Sequence, residues 1–164
     1  MMKTLIGLLI DLPERLAAYF WWAPPLAARI TVGWVFLWSG WGKLNDLPHV
    51  TANFIDWGIP FPHLLTPFVS LVEFLGGLLL LLGLFTRLAA APLIVVMIVA
   101  IIAAKRSEID SMEALLGFDE VAYMVLFLWL AVAGPGPLSL DWLLQRFFLR
   151  EPGRKPLPAS EAAG

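Results

Sequence analysis

The chain has 164 residues, of which 60% are apolar and 15% are charged, and its mean hydropathy is +0.82. Soluble domains are closer to half apolar and a quarter charged, and a soluble particle of this size could not bury so much apolar surface. The composition therefore excludes a soluble enzyme, a disordered chain and a nucleic-acid-binding protein, and it predicts an integral membrane protein in contact with the lipid bilayer.

Residues 1–25 are predicted to form an amphipathic helix that lies on the membrane surface. Leucines recur there at near-helical spacing and are followed by the aromatic run Tyr19-Phe20-Trp21-Trp22. An apolar face that ends in aromatic residues is typical of a helix in the headgroup region. Charged residues interrupt the apolar run early, and so we do not expect a cleaved signal peptide.

Residues 26–134 contain four apolar windows that approach the length needed to cross a bilayer. The hydrocarbon core takes roughly 20 residues of helix per crossing. The windows are 26–44, 66–84, 88–104 and 119–134. They predict an all-α fold, a four-helix transmembrane bundle with amphipathic interfacial helices at its N- and C-terminal ends.

The C-terminal region begins at Gly134-Pro135-Gly136-Pro137, where the fourth window ends, and residues 135–150 are predicted to form the second interfacial helix. Residues 151–164 are rich in proline, glycine, alanine and serine and are predicted to be disordered. Lysine and arginine are concentrated on the side of the four spans that carries both termini. The positive-inside rule therefore predicts a multi-pass protein of a bacterial-type inner membrane, with both termini in the cytoplasm.

Glu73 is the most informative polar residue, because it lies seven residues into the second window. A carboxylate at that depth is expensive and normally faces a bundle interior or a hydrated cavity. Lys43 ends the first window and is the nearest cation by predicted depth, since the stem of a lysine can bend inward. Predicted depth brings further ligand-binding candidates to the same outer half of the bundle: Trp38, Ser39, Asp119 and Tyr123.

Two interpretations of this outer group stay open. It is either a site for a ligand or a proton, or a structural ion pair that fixes the register of the helices, with Asp119 only capping its helix. His63 is a further ligand candidate, because Ile59-x3-His63-x2-Thr66 loosely resembles a spacing proposed for quinone pockets, although an interfacial loop histidine is the simpler explanation.

The opposite end of the bundle carries a second polar group. It consists of Arg29, Arg87 and Asp141, which are structural or headgroup-binding candidates. Arginines at cytoplasmic helix ends usually bind lipid headgroups or set the topology. The glycine-rich faces of the spans permit close helix packing and are compatible with a homo-oligomer.

The chain contains no cysteine and only two histidines. Without cysteine it has no disulfide, thiolate nucleophile or Cys-ligated cluster, and two histidines are too few for a haem or zinc site. We therefore expect no metal and no intrinsic cofactor. No catalytic residue is identified, and we do not expect the chain to be a complete enzyme by itself.

Six short motifs, in this order, resemble the DoxX family of small four-span membrane proteins. They are Arg29-x3-Gly33, Ser39-Gly40-x2-Lys43-Leu44, Gly58-Ile59-Pro60-x-Pro62, Val72-Glu73-x2-Gly76-Gly77, Leu82-Gly83-Leu84-x-Thr86-Arg87 and Gly134-Pro135-Gly136-x-Leu138-Ser139-Leu140-Asp141. The resemblance covers about residues 26–142. It implies a compact four-helix bundle and a membrane subunit of a redox or detoxification assembly, and it transfers no catalytic residues.

Three hypotheses about function follow. The first, which we favour, is the membrane subunit of a quinone-linked oxidoreductase that binds a quinone or another small amphiphile near Glu73 and Lys43 and works with soluble or membrane redox proteins. The second is a structural anchor or scaffold for partner proteins, with no ligand chemistry. The third is a small-molecule or proton-coupled transporter, for which the chain offers no inverted repeat.

Overall fold

The structure, a computed structural model, describes residues 2–149 and is mainly helical in that range, with no strand in it. The predicted all-α class is therefore confirmed, while the tail predicted for residues 151–164 lies outside the described residues. The helices are α1 (Met2–Tyr19), α2 (Ala23–Asn45), α3 (Leu47–Asp56), α4 (Pro62–Leu82), α5 (Thr86–Ala104), α6 (Met112–Leu116), α7 (Asp119–Ala133) and α8 (Leu140–Leu144). A 3₁₀ turn, Arg106–Glu108, follows α5, and a π turn, Gln145–Leu149, follows α8.

Two of these helices, α4 and α5, are long and apolar enough to cross a membrane. The helix α7 has 15 residues, which at 1.5 Å per residue is about 22 Å and shorter than a typical hydrocarbon core. The helix α2 has 23 residues but is less apolar, since it carries two cationic and several tryptophan and glycine residues. The four-span arrangement therefore stays a prediction.

The second predicted window differs most from the observed helix. The helix α4 begins four residues earlier than predicted, at Pro62, because Phe61 has a left-handed backbone (φ 49°) and proline is favoured in the first helical turn. It ends two residues earlier, because Gly83 takes the left-handed conformation (φ 64°) that terminates many helices. The other three windows agree with α2, α5 and α7 to within three residues at each end.

The closest packing in the structure joins α2 to α4. A methyl group at Gly40 would collide with the backbone of Phe74, and one at Gly77 would collide with the backbone nitrogen of Leu37. Small residues at such crossings let two helix backbones approach closely. The helix α5 packs mainly against α7. The core between the two helix pairs contains Phe36 and Phe127, which pack edge-on with 4.9 Å between the centres of their rings.

The N-terminal helix α1 does not contribute to this core. Its described side chains are exposed, and Leu9, Leu12 and Leu16 are each more than half exposed. The aromatic residues that follow, Phe20 and Trp21, are exposed as well. This arrangement is compatible with the predicted position of α1 on the membrane surface, which stays a prediction.

Replacing either crossing glycine with alanine should destabilise the fold. We expect Gly40→Ala and Gly77→Ala each to cost about 1–3 kcal/mol, because the added methyl group overpacks the α2–α4 contact. Gly42→Ala is the matched control on the same helix, since a methyl group there meets nothing within 4 Å. The measurement is the thermal unfolding of the three purified variants in one detergent; equal melting temperatures would contradict this explanation of the contact.

Candidate functional site

The Glu73 side chain lies in the α2–α4 interface and is 1% exposed. Its Oε1 accepts a hydrogen bond from Lys43 Nζ at 2.5 Å, and its Oε2 accepts one from Ser39 Oγ at 2.8 Å. Ser39 and Lys43 are four residues apart on α2 and therefore lie on one face of that helix. We refer to Ser39, Lys43 and Glu73 as the polar triad.

The glycine packing explains how the polar triad forms. Gly40 lies between Ser39 and Lys43 on α2, and Gly77 lies one turn after Glu73 on α4. Because both glycines allow the backbones to come together, the short glutamate side chain reaches two donors on the facing helix. Sequence and packing thus place a carboxylate with two partners inside an otherwise apolar interface.

The two charges of the polar triad differ in their access to the outside. The Glu73 side chain is buried, whereas the Lys43 side chain is 32% exposed. A buried carboxylate that keeps hydrogen bonds on both oxygens retains its charge far more cheaply than an unpaired one. A lysine ammonium has three donors, of which Glu73 takes one. Chemically, the triad can therefore present an ammonium donor to an external oxygen atom while Glu73 balances its charge.

The other residues predicted for this site lie apart from the polar triad. Trp38 is 54% exposed and packs edge-on against Trp34, with 5.7 Å between the centres of the two rings. Tyr123 packs against Phe36 in the core at 5.4 Å. Asp119 and His63 are exposed near the first residues of α7 and α4. Among the seven predicted ligand candidates, the hydrogen bonds of the described residues therefore join three, Ser39, Lys43 and Glu73.

A second charged pair, which depth alone does not predict, joins α5 to α7. Lys105 Nζ donates to Glu120 Oε2 at 2.8 Å, and the same ammonium lies 4.7 Å from the centre of the Phe118 ring. The hydrogen bond to Glu120 raises the pKa of Lys105 above its ordinary value. Position in the sequence is the signal that could have identified this pair, since Lys105 directly follows α5 and Glu120 lies in the first turn of α7.

Asp141 caps α5 from a position far away in the sequence. Its carboxylate accepts hydrogen bonds from the backbone nitrogens of Phe85 at 2.8 Å and Thr86 at 3.0 Å. Its own backbone nitrogen donates to the carbonyl oxygen of Gly83 at 2.9 Å. These contacts satisfy donors that a helix N-terminus leaves unpaired and hold the segment after α7 against the turn between α4 and α5.

The two arginines at this end have different environments. Arg29 is 1% exposed and its Nη2 donates to the carbonyl oxygen of Leu138 at 2.5 Å, so its observed contact is structural. Arg87 is exposed beside Gly134, and a methyl group at that glycine would lie 3.4 Å from Arg87 Nη2. Of the predicted group, Arg87 is the residue whose position suits contact with lipid headgroups.

Two further features bear on possible ligands. Among the residues that the structure describes, no cluster of three or more His, Asp or Glu side chains is arranged to hold a metal ion. An apolar groove of about 250 Å³ runs between α4 and α5, with Leu75, Leu79 and Pro92 in its walls. None of the three residues of the polar triad lines this groove, so the groove and the polar triad are separate.

Removing the cap that Asp141 provides should destabilise the protein without affecting the polar triad. We expect Asp141→Ala to cost about 1–2 kcal/mol, because two backbone donors lose their acceptor. Asp11→Ala on the exposed helix α1 is the control for loss of a carboxylate. Thermal unfolding in detergent measures both, and an Asp141→Ala variant as stable as the Asp11→Ala variant would contradict the capping role.

Comparison with known proteins places these features in a wider context. The DoxX family model matches residues 25–106. The inner membrane protein YqjF of Escherichia coli is 30% identical over 121 residues, which cover 74% of this chain and 92% of that protein. The uncharacterized membrane protein Rv3486 of Mycobacterium tuberculosis is 32% identical over 139 residues, covering 75% of this chain and 83% of that protein. No solved structure matches the chain.

Proposed function

Because the chain belongs to the DoxX family of membrane proteins, we propose that it is the membrane subunit of a quinone-linked oxidoreductase or of a related redox or detoxification assembly. In this proposal the polar triad binds the polar head of a quinone or another small amphiphile, and soluble or membrane redox proteins are the partners. The protein resides in a bacterial-type inner membrane, with α2, α4, α5 and α7 as spans and both termini in the cytoplasm.

The unequal exposure of the two charges carries this proposal. Glu73 is sealed while a third of the Lys43 side chain is exposed, so the ammonium is the part of the triad that a ligand can reach. Burying a carboxylate in an apolar interface is costly, and a purely structural contact between two helices does not require it. A charge at this depth is therefore better explained by binding.

The residues of the polar triad fit a quinone head. Lys43 is a cationic donor suited to a carbonyl oxygen, and Glu73 stabilises the positive charge of its ammonium. The Ser39 hydroxyl holds the second oxygen of Glu73 and so fixes the orientation of the carboxylate. A quinone, when bound, would supply the capacity to take up electrons and protons, which the side chains of this chain lack.

Exposed apolar side chains support the proposed membrane position of the terminal helices. Leu12 and Leu16 of α1 are more than half exposed. At the other end, Phe147 and Phe148 are 70% and 80% exposed, and Arg146 lies over the ring of Trp142 at 5.1 Å. Apolar faces beside cationic groups are typical of helices that bind the membrane surface.

Neutralising Glu73 should weaken ligand binding. We expect Glu73→Gln to bind decylubiquinone about 10- to 100-fold more weakly, because Lys43 loses the charged partner that holds its ammonium towards the ligand. A hydrogen bond involving a charged group is worth about 1.5–3 kcal/mol, and 1.4 kcal/mol corresponds to a factor of ten. Glu113→Gln, in the exposed helix α6, is the control. Titration of the purified variants in detergent gives the affinities, and a Glu73→Gln variant that binds as tightly as wild type would overturn the proposal.

The scaffold hypothesis is the second candidate, and one observation favours it: both oxygens of Glu73 already have partners within the protein. A structural pair needs nothing further. The corresponding function is that of an anchor whose charges only hold α2 against α4, with no ligand chemistry.

Exchanging the two charges separates these candidates. We expect Lys43→Glu and Glu73→Lys to destabilise the protein singly by about 3–5 kcal/mol each, because each leaves like charges together in the interface. The double exchange should recover much of the stability but should not bind decylubiquinone, since the exposed position then carries a carboxylate. A double exchange that recovers stability and binds decylubiquinone to the same extent as wild type would contradict the role of the polar triad in binding and leave it the structural role of the scaffold hypothesis.

A further inference from the structure

The bundle consists of two consecutive hairpins of the same design. Hairpin A comprises α2, α3 and α4, and hairpin B comprises α5, α6 and α7. In each, a long helix is followed by a short helix and a second long helix, and each ends at a glycine with positive φ, 64° at Gly83 and 85° at Gly134. Packing is more extensive within each hairpin than between the two.

Side-chain contacts repeat between the hairpins as well. In hairpin A, Arg29 of the first helix packs against the terminal glycine, Gly83. In hairpin B, Arg87 of the first helix lies beside the terminal glycine, Gly134. Both arginines are near the starts of their helices, so an arginine–glycine contact marks the same end of each hairpin.

A lysine–glutamate pair joins the two long helices at the other end of each hairpin. In hairpin A, Lys43 follows Arg29 by 14 residues, and Glu73 precedes the terminal glycine by 10. In hairpin B, Lys105 follows Arg87 by 18 residues, and Glu120 precedes the terminal glycine by 14. Both spacings are four residues longer in hairpin B than in hairpin A, which is about one helical turn or 6 Å.

The pair in hairpin B is therefore the counterpart of Lys43–Glu73, displaced one turn towards the loops. When residues are counted from the arginine and from the terminal glycine of each hairpin, Ile101 and Met124 of hairpin B correspond in position to Lys43 and Glu73 of hairpin A. Ile101 is buried, and Met124 packs against the apolar core. The displacement places the second pair at the edge of the bundle, where Glu120 is 19% and Lys105 is 30% exposed.

We propose that Lys105, Glu120 and Phe118 form a second binding site for the same chemical class of ligand, a carbonyl oxygen carried on a flat apolar body. Lys105 offers donors beyond the one that Glu120 takes, and its exposure equals that of Lys43 to within a few per cent. The Phe118 ring, whose centre lies 4.7 Å from the ammonium, adds an aromatic side chain that the ring of a ligand can contact. The inference rests on the proposed function of the polar triad.

Native mass spectrometry with decylubiquinone as the probe tests this second site. Wild type should retain two quinone molecules per chain, and Glu120→Gln and Glu73→Gln should each retain one. Arg106→Gln is the matched control, because it removes a charge next to Lys105 without touching the pair, and it should retain two. Thermal unfolding of each variant confirms that the fold is intact, which we expect for Glu120→Gln because its side chain lies at the edge of the bundle.

The outcomes separate the two proposals. A single adduct that is lost in Glu73→Gln and kept in Glu120→Gln would overturn the second site and leave the proposed function intact. A single adduct that is lost in Glu120→Gln alone would support the second site and contradict the role of the polar triad. Adducts that neither substitution reduces, or a wild type without adducts, would overturn both proposals.

Mapping the bound probe provides an independent test. A photoreactive benzoquinone should label the peptide that contains Phe118 and Glu120 in wild type, and Lys105→Gln should reduce this labelling at least tenfold. Labelling of that peptide to the same extent in wild type and Lys105→Gln would overturn the second site, whatever the number of adducts.

Discussion

The close approach of α2 and α4 is the constraint on which the candidate site depends. Only residues without a side chain fit where the two backbones meet, at Gly40 and Gly77. That approach brings the carboxylate of Glu73 within reach of Ser39 and Lys43. In an apolar interface an unpaired carboxylate would be strongly destabilising, so the packing and the hydrogen bonds depend on each other.

The two ends of the bundle use polar residues differently. At the end with the termini, Asp141 accepts from two backbone nitrogens of α5 and Arg29 donates to a carbonyl oxygen. Each of these contacts fixes the return of the chain after α7 across the turn that follows α4. At the loop end, by contrast, each charged pair keeps a partly exposed lysine, and exposure is what allows a side chain to meet a ligand.

The two hairpins differ in the depth of their glutamates. In hairpin B a lysine–glutamate pair joins the long helices at the edge of the bundle, where the Glu120 side chain is 19% exposed. The same design therefore does not require a carboxylate one turn deeper, where desolvation is more costly. Hairpin A nevertheless buries its glutamate completely and adds Ser39 as a second donor. The two pairs therefore differ in how far the carboxylate is buried, while both keep a lysine that is about one third exposed.

The sequence by itself determined the helical class and the approximate limits of the long helices, and it identified Lys43 as the cation nearest in depth to Glu73, because apolar periodicity and depth along a helix follow from counting residues. The direction in which a side chain points around its helix does not follow from counting residues. Trp38 adjoins Ser39 and shares its depth, yet it faces outward, because adjacent residues are about 100° apart and only the packing decides which face is buried. Likewise, depth groups Asp119 and Tyr123 with Glu73, whereas the neighbouring Glu120 meets Lys105. The tertiary structure alone decided these partners, since they depend on which helices become neighbours.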